Sequence, residues 1–217
     1  MPRKLVTVAA ALALALLTLP AAAGAKSSSC ASSGSKTLAQ SEYARVYAPA
    51  RVKKPPAIAT GRVGVYGCVF KTGRRTRLDG GRSAPVHVAP IRLNGRYVAF
   101  ERGIGSGMGE PLSIRVFDLK TGRLHREAED PGFGDPDFAV TDLVVTAGGA
   151  AAWIVDTQGP DERGGSRPEV HTLDADGRQI RDLASDAEPI ELGSMALAGA
   201  TVYWTKGGVA RSYRLRR

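Results

Sequence analysis

Apolar residues in this chain come in short runs interleaved with polar ones, and turn-forming residues cut the runs at close intervals. Tyr43-Ala44-Arg45-Val46-Tyr47 alternates with a period of two, the spacing of a strand with one face buried. A basic connection with Pro49, Pro55 and Pro56 follows. Val63–Phe70 then reads as a strand, turned by Lys71-Thr72-Gly73-Arg74 onto a return over Arg75–Leu78. Ile91–Leu93 and Arg96–Phe100 flank Asn94-Gly95, a pair suited to a type I′ hairpin turn. Beyond a Gly-rich connection, Lys120-Thr121-Gly122-Arg123 turns Ser113–Asp118 onto Leu124–Arg126. The scheme recurs as Leu143–Val145, Ala147-Gly148-Gly149 and Ala151–Val155, then as Glu169–Leu173, Asp174-Ala175-Asp176-Gly177 and Gln179–Leu183. A last round runs Met195–Leu197, Ala198-Gly199, Thr201–Trp204 and Val209–Leu215. Helical periodicity is nearly absent beyond the first 25 residues, which predicts an all-β chain.

Like positions give a period. Gly95, Gly148 and Gly199 lie 53 and 51 residues apart, and Gly73, Gly122 and Gly177 lie 49 and 55 apart. A repeat near fifty residues built of two hairpins is the pattern of a propeller blade. The expected fold is a small β-propeller-like array of about four antiparallel blades. Its rounds cover about 36–78, 86–127, 138–183 and 190–215, and the fourth lacks its outermost strand. An open β-sandwich is the alternative, with the repeat then accidental. Val98-Ala99-Phe100, Ala152-Trp153-Ile154 and Val202-Tyr203-Trp204 are expected as buried second strands, with Phe100, Trp153 and Trp204 at equivalent positions. Val98-Ala99-Phe100 and the run Ile114–Gly122 resemble the inner strand and the "DLxTG" strand-turn element of bacterial extracytoplasmic TolB-like β-propeller repeat proteins. The resemblance spans roughly 36 to 215 and implies the blade fold; motifs this short imply no activity.

The start of the chain reads as an address. Arg3 and Lys4 precede an apolar run over Leu5–Leu19, then Pro20 and the small-residue site Ala23-Gly24-Ala25. This predicts a signal peptide over 1–25, cut after Ala25. The run is shorter than the roughly 20 residues of a membrane span, so an uncleaved anchor is the lesser alternative. Ser27-Ser28-Ser29 before Cys30 does not suit lipid attachment. A mature chain of 192 residues remains: a flexible Ser-rich lead over 26–35, then one domain over 36–217. The expectation is a secreted, extracytoplasmic protein that does not span the membrane after cleavage. In an oxidising compartment Cys30 and Cys68, the only two cysteines, are expected to pair; two free thiols are the alternative.

Composition sharpens this in one respect. With 26 Gly and 13 Pro the chain suits neither a helical bundle nor a coiled coil, and at 43% hydrophobic it is too apolar to be disordered. Charge is unevenly placed. Of the formal +9, the segment Lys26–Arg82 carries 12 basic against 2 acidic residues, whereas Ser83 onward carries 16 against 19. Such asymmetry points to an anionic envelope polymer, anionic lipid headgroups, another extracytoplasmic protein, or the acidic half of the same fold. A solvated Arg-rich face is the plain alternative. Nucleic acid is not expected, because export removes the opportunity and no recognition motif accompanies the charge. The candidate patch is Arg51, Lys53, Lys54, Arg74, Arg75 and Arg77. Alternation is expected to set Arg75 opposite Arg74 and Arg77, so a contiguous surface needs Lys53 and Lys54. Arg outnumbers Lys 22 to 8, a bias of GC-rich bacterial genomes.

Signs of catalysis are sparse. Gly103–Gly109 alternates glycine without the phosphate-loop spacing and reads as a connection. Glu127, Glu129, Asp130, Asp135 and Asp137 gather five carboxylates in eleven residues, a calcium loop or a solvated one. Asp174-Ala175-Asp176-Gly177 reads as a hairpin turn. His87, His125 and His171 are scattered, so no metal or cofactor is expected. No G-x-S-x-G elbow occurs, and no catalytic residue is named. Two function classes remain: a non-catalytic binding module of the bacterial envelope or exterior, and a secreted hydrolase using carboxylates at a propeller's centre.

Overall fold

The computed structural model describes residues 30, 33–49, 64–78, 86–104, 113–129, 138–158, 166–185 and 187–217. Among these there is no helix, and all strands belong to four antiparallel sheets that follow one another along the chain. Sheet 1 comprises β1 (Lys36–Gln40), β2 (Ala44–Ala48), β3 (Tyr66–Val69) and β4 (Arg75–Arg77). Sheet 2 comprises β5 (Val86–Asn94), β6 (Tyr97–Ile104), β7 (Ser113–Asp118) and β8 (Arg123–Glu129). Sheet 3 comprises β9 (Phe138–Val145), β10 (Ala151–Gln158), β11 (Ser166–Asp174) and β12 (Gly177–Leu183). Sheet 4 has only β13 (Ala196–Ala198), β14 (Thr201–Lys206) and β15 (Val209–Arg214). Every sheet is a meander in chain order. The predicted leader, Arg51, Lys53, Lys54, most of the Gly103–Gly109 run and the Asp130–Asp137 loop lie outside the described residues; Gly103 and Ile104 belong to β6.

Three details differ from the sequence reading. β1 is an extra strand, and a bulge between Thr37 and Ala39 breaks the alternation that would have revealed it. The hairpin between β5 and β6 is not type I′. Asn94 is still paired with Tyr97, which leaves Gly95 and Arg96 as the turn, and only Gly95 has positive φ, at 55°. Glycine at the first central position is the type II′ arrangement. Asn94 instead sends its Nδ2 to the Val145 carbonyl at 3.0 Å, tying sheet 2 to sheet 3. In the third sheet the positive φ falls on Gly149 rather than Gly148, whereas Gly73, Gly122 and Gly177 all have it.

The core lies in the seams between consecutive sheets. Ala44, Val46, Val65, Val69 and Leu78 of sheet 1 meet Val98, Phe100 and Leu119 of sheet 2. Tyr97, Ala99, Ile114, Val116 and Ala128 on the other side of sheet 2 meet Leu143, Val145, Ala151, Trp153 and Val155. Ala152, Ile154 and Val170, on the reverse of sheet 3, meet Val202 and Trp204. Phe100, Trp153 and Trp204 thus all stand on second strands and face the preceding sheet. Gly67 lets sheets 1 and 2 approach: a Cβ there would collide with the Leu119 side chain. The first strands also align, β5 lying against both β1 and β9, and β9 against β13.

The two ends of the series are finished differently. On the outer side of sheet 1, Tyr47 and Cys68 are covered by Cys30. On the outer side of sheet 4, Ala196, Ala198, Ala210 and Ser212 are exposed, and Tyr203 is 41% exposed. The expectation of a buried Val202-Tyr203-Trp204 strand is therefore corrected at Tyr203: among the described residues, sheet 4 has a neighbour on one face only. The Asp174–Gly177 turn, a hairpin as expected, cross-links three sheets. Arg126 donates to the Asp174 carbonyl at 2.6 Å, and the Arg216 N–H, just beyond sheet 4, donates to the buried Asp174 carboxylate at 3.1 Å.

Candidate functional site: the outer face of sheet 1

Period-two alternation in β2 turns Ala44, Val46 and Ala48 toward the core and Arg45 and Tyr47 outward. Registers carry this across the sheet. Arg45 lies beside Cys68, which lies beside Arg75; Tyr47 lies beside Tyr66, which lies beside Arg77. Two parallel rows result, one Arg–Cys–Arg and one Tyr–Tyr–Arg. The Tyr47 and Tyr66 rings stack with centroids 5.8 Å apart, and the Arg45 guanidinium sits 4.6 Å over the Tyr47 ring. Arg45 also donates to the Ser35 hydroxyl. The Cys30–Cys68 disulfide, with Cα atoms 5.7 Å apart, pins the incoming chain onto this face. Its chemistry is that of an oxidising compartment.

The expected disposition of the arginines needs one correction. β4 begins at Arg75, so Arg75 and Arg77 are two residues apart and point the same way, and Arg74 precedes the strand. Arg74 leaves the face altogether and donates to the Lys120 carbonyl at 3.2 Å, clamping the β3–β4 turn to the β7–β8 turn. Arg75 is exposed and Arg77 half-buried, and each interacts with a neighbouring group. The face therefore unites two of the expected cations with three unexpected partners: Arg45, Tyr47 and Tyr66. The alternation Ala44-Arg45-Val46-Tyr47 was the available signal, because it makes Arg45 and Tyr47 co-facial.

Carboxyl chemistry is concentrated elsewhere. Glu101, 5% exposed, lies on the sheet 3 side of β6, and burial pushes its carboxyl up to about 8, opposed by a hydrogen bond from the Val140 backbone. The Glu169 carboxylate is 2.7 Å from Nε2 of His171, whose ring stacks on Trp153. Nδ1 of His171 is 3.1 Å from Arg178, so it accepts and Nε2 carries the proton. His125 packs its ring on Tyr97 at 4.9 Å, and His87 lies on β5. Among the described residues no three His, Cys, Asp or Glu side chains group as metal ligands. The first strands β1, β5, β9 and β13 carry a single carboxylate, Asp142, which accepts the Gly193 N–H at 2.6 Å. Neither the protein-family models nor the curated proteins compared with this chain include a match.

Proposed function

We infer that the chain is a secreted, non-catalytic binding module of the bacterial envelope or exterior, whose first sheet holds an anionic polymer. The co-facial set Arg45, Arg75 and Arg77, in register with Cys68, Tyr47 and Tyr66, carries this reading. Guanidinium groups recognise carboxylate and phosphate oxygens bidentately, and the buried Tyr47 ring, stacked on Tyr66 and under Arg45, positions them from beneath. A disulfide-pinned sheet holds these groups in place before the ligand arrives, which lowers the entropic cost of binding. The predicted leader over 1–25 and the Cys30–Cys68 bridge support export. The fifty-residue repeat and the TolB-like motifs support a propeller-like, blade-by-blade arrangement.

The test is retention of the purified chain on bacterial cell wall and on dextran sulfate across a salt gradient. Retention is expected at low salt and should fall as salt shortens the screening length to about 8 Å near physiological strength. Arg75→Ser with Arg77→Ser should lower the eluting salt concentration, and adding Arg45→Ser should lower it further. Lys53→Ser with Lys54→Ser tests the contribution of the Pro-rich connection. Unchanged retention together with a lower melting temperature would show that these cations serve the fold, and the reading would fail.

A further inference from the structure

Among the described residues, sheet 4 has one strand fewer than the other three. In sheets 1, 2 and 3 the third strand is paired on its outer side by a fourth, and β3, β7 and β11 are largely buried. In sheet 4 the third strand, β15, is the edge, and its residues are exposed except Tyr213, which is half-buried. The two-residue turn Gly207-Gly208 makes Lys206 and Val209 a hydrogen-bonded pair. The bond from Leu215 N to the Ala200 carbonyl, 2.8 Å, closes the same ladder at the other end. Alternation in an antiparallel pair then turns the N–H and C=O groups of Ala210, Ser212 and Arg214 away from β14. Three successive donor–acceptor sites thus face outward from one strand.

The charges on this edge specify what can use it. In sheet 2, Phe100 pairs with Arg115 and Arg115 with Glu127 of the fourth strand, the guanidinium and carboxylate 2.6 Å apart. Trp204 stands where Phe100 stands, on the second strand facing the preceding sheet, and it pairs with Arg211. Arg211 is therefore the counterpart of Arg115. Its own contact is a loose one, 3.9 Å from the exposed Glu188, a pair of little energetic weight. Arg214 adds to the positive edge, whereas Arg216, beyond the strand, is paired with Asp176 at 2.8 Å; the charge of Arg211 and Arg214 opposes pairing of β15 with a second copy of itself.

The geometry points to β15 as the docking edge for an extended acidic segment of a partner protein, added as the fourth strand of sheet 4 with a carboxylate opposite Arg211. Main-chain bonds to Ala210, Ser212 and Arg214 supply affinity, and the arginines select the sign of charge. This surface is separate from the outer face of sheet 1, so the two assignments stand or fall independently.

The probe is fluorescein-labelled acetyl-Thr-Val-Glu-Val-Glu-Val-Thr-amide, titrated into the full chain and followed by anisotropy and by amide hydrogen exchange. Amides of Ala210, Ser212 and Arg214 should exchange freely in the unliganded chain and become protected as the peptide binds. Arg211→Glu should weaken binding by about tenfold, and the peptide with Lys in place of both Glu should then prefer the variant. Ser212→Pro removes an outward N–H while leaving the ladder to β14 intact, and should abolish binding. The inference is overturned by any of three results. The three amides are already protected in the free monomer; they are protected in a dimer that forms as concentration rises; or peptide affinity is unchanged in both variants.

Discussion

Glu101 shares the inward face of β6 with Tyr97 and Ala99, in the seam that Trp153 and Val155 close from the other sheet. Desolvation there disfavours its charge, and its carboxyl titrates near 8 instead of the usual 4.5. The folded chain then binds one more proton than the unfolded chain between those two values. Stability from this group is complete below pH 4.5 and is lost as pH rises through about 8. Glu101→Gln keeps an acceptor for the Val140 N–H but cannot ionise. Its melting temperature should match the parent near pH 4 and exceed it at pH 8, measured by circular dichroism across that range. Parallel curves for the two proteins would mean that Glu101 is already ionised in the fold at neutral pH. Nothing in the residue pattern marked this position, because the strand read from Arg96 stopped at Phe100 and left Glu101 in a connection.

At the level of elements, the outer face of sheet 1 depends on β2 and β3 being held beneath the incoming chain. The Cys30–Cys68 bridge spans a sequence separation of 38 residues, and closing such a loop in the unfolded chain is worth about 3–4 kcal/mol in the chain-entropy account. Cys30→Ser with Cys68→Ser should therefore lower the melting temperature markedly, as should reduction of the parent. It should also raise quenching of Tyr47 fluorescence, since Tyr47 is only 3% exposed under that cover. Equal melting temperatures with and without reductant would assign the bridge no part in stability. The cysteine pair was legible because in an oxidising compartment the only two cysteines of a chain have one partner each. β1 was not, because its bulge removes the period-two signal; nor was the Gly95-Arg96 turn, because Asn94 prefers a bond to sheet 3 over a place in the turn.

Across the whole molecule, each sheet buries its side chains mainly against its neighbours in sequence, so stability should be distributed like that of a linear array. Sheet 3 is covered on both faces, and sheet 4 on one. Native-state hydrogen exchange should accordingly be slowest in β10 and faster in β14, with β15 fastest of the three. Protection in β14 equal to that in β10 would imply a covering for sheet 4 that its exposed Tyr203 does not reveal. Reading the chain alone was enough for the all-β class, the hairpins, the fifty-residue recurrence and the common placing of Phe100, Trp153 and Trp204. These follow from turn chemistry and alternation, which act within a few residues and so leave local marks. Which arginines share a face, which sheet ends exposed, and where a carboxyl is buried depend on register and on what packs across each seam. Those contacts join residues tens of positions apart, and only the tertiary structure brings them together.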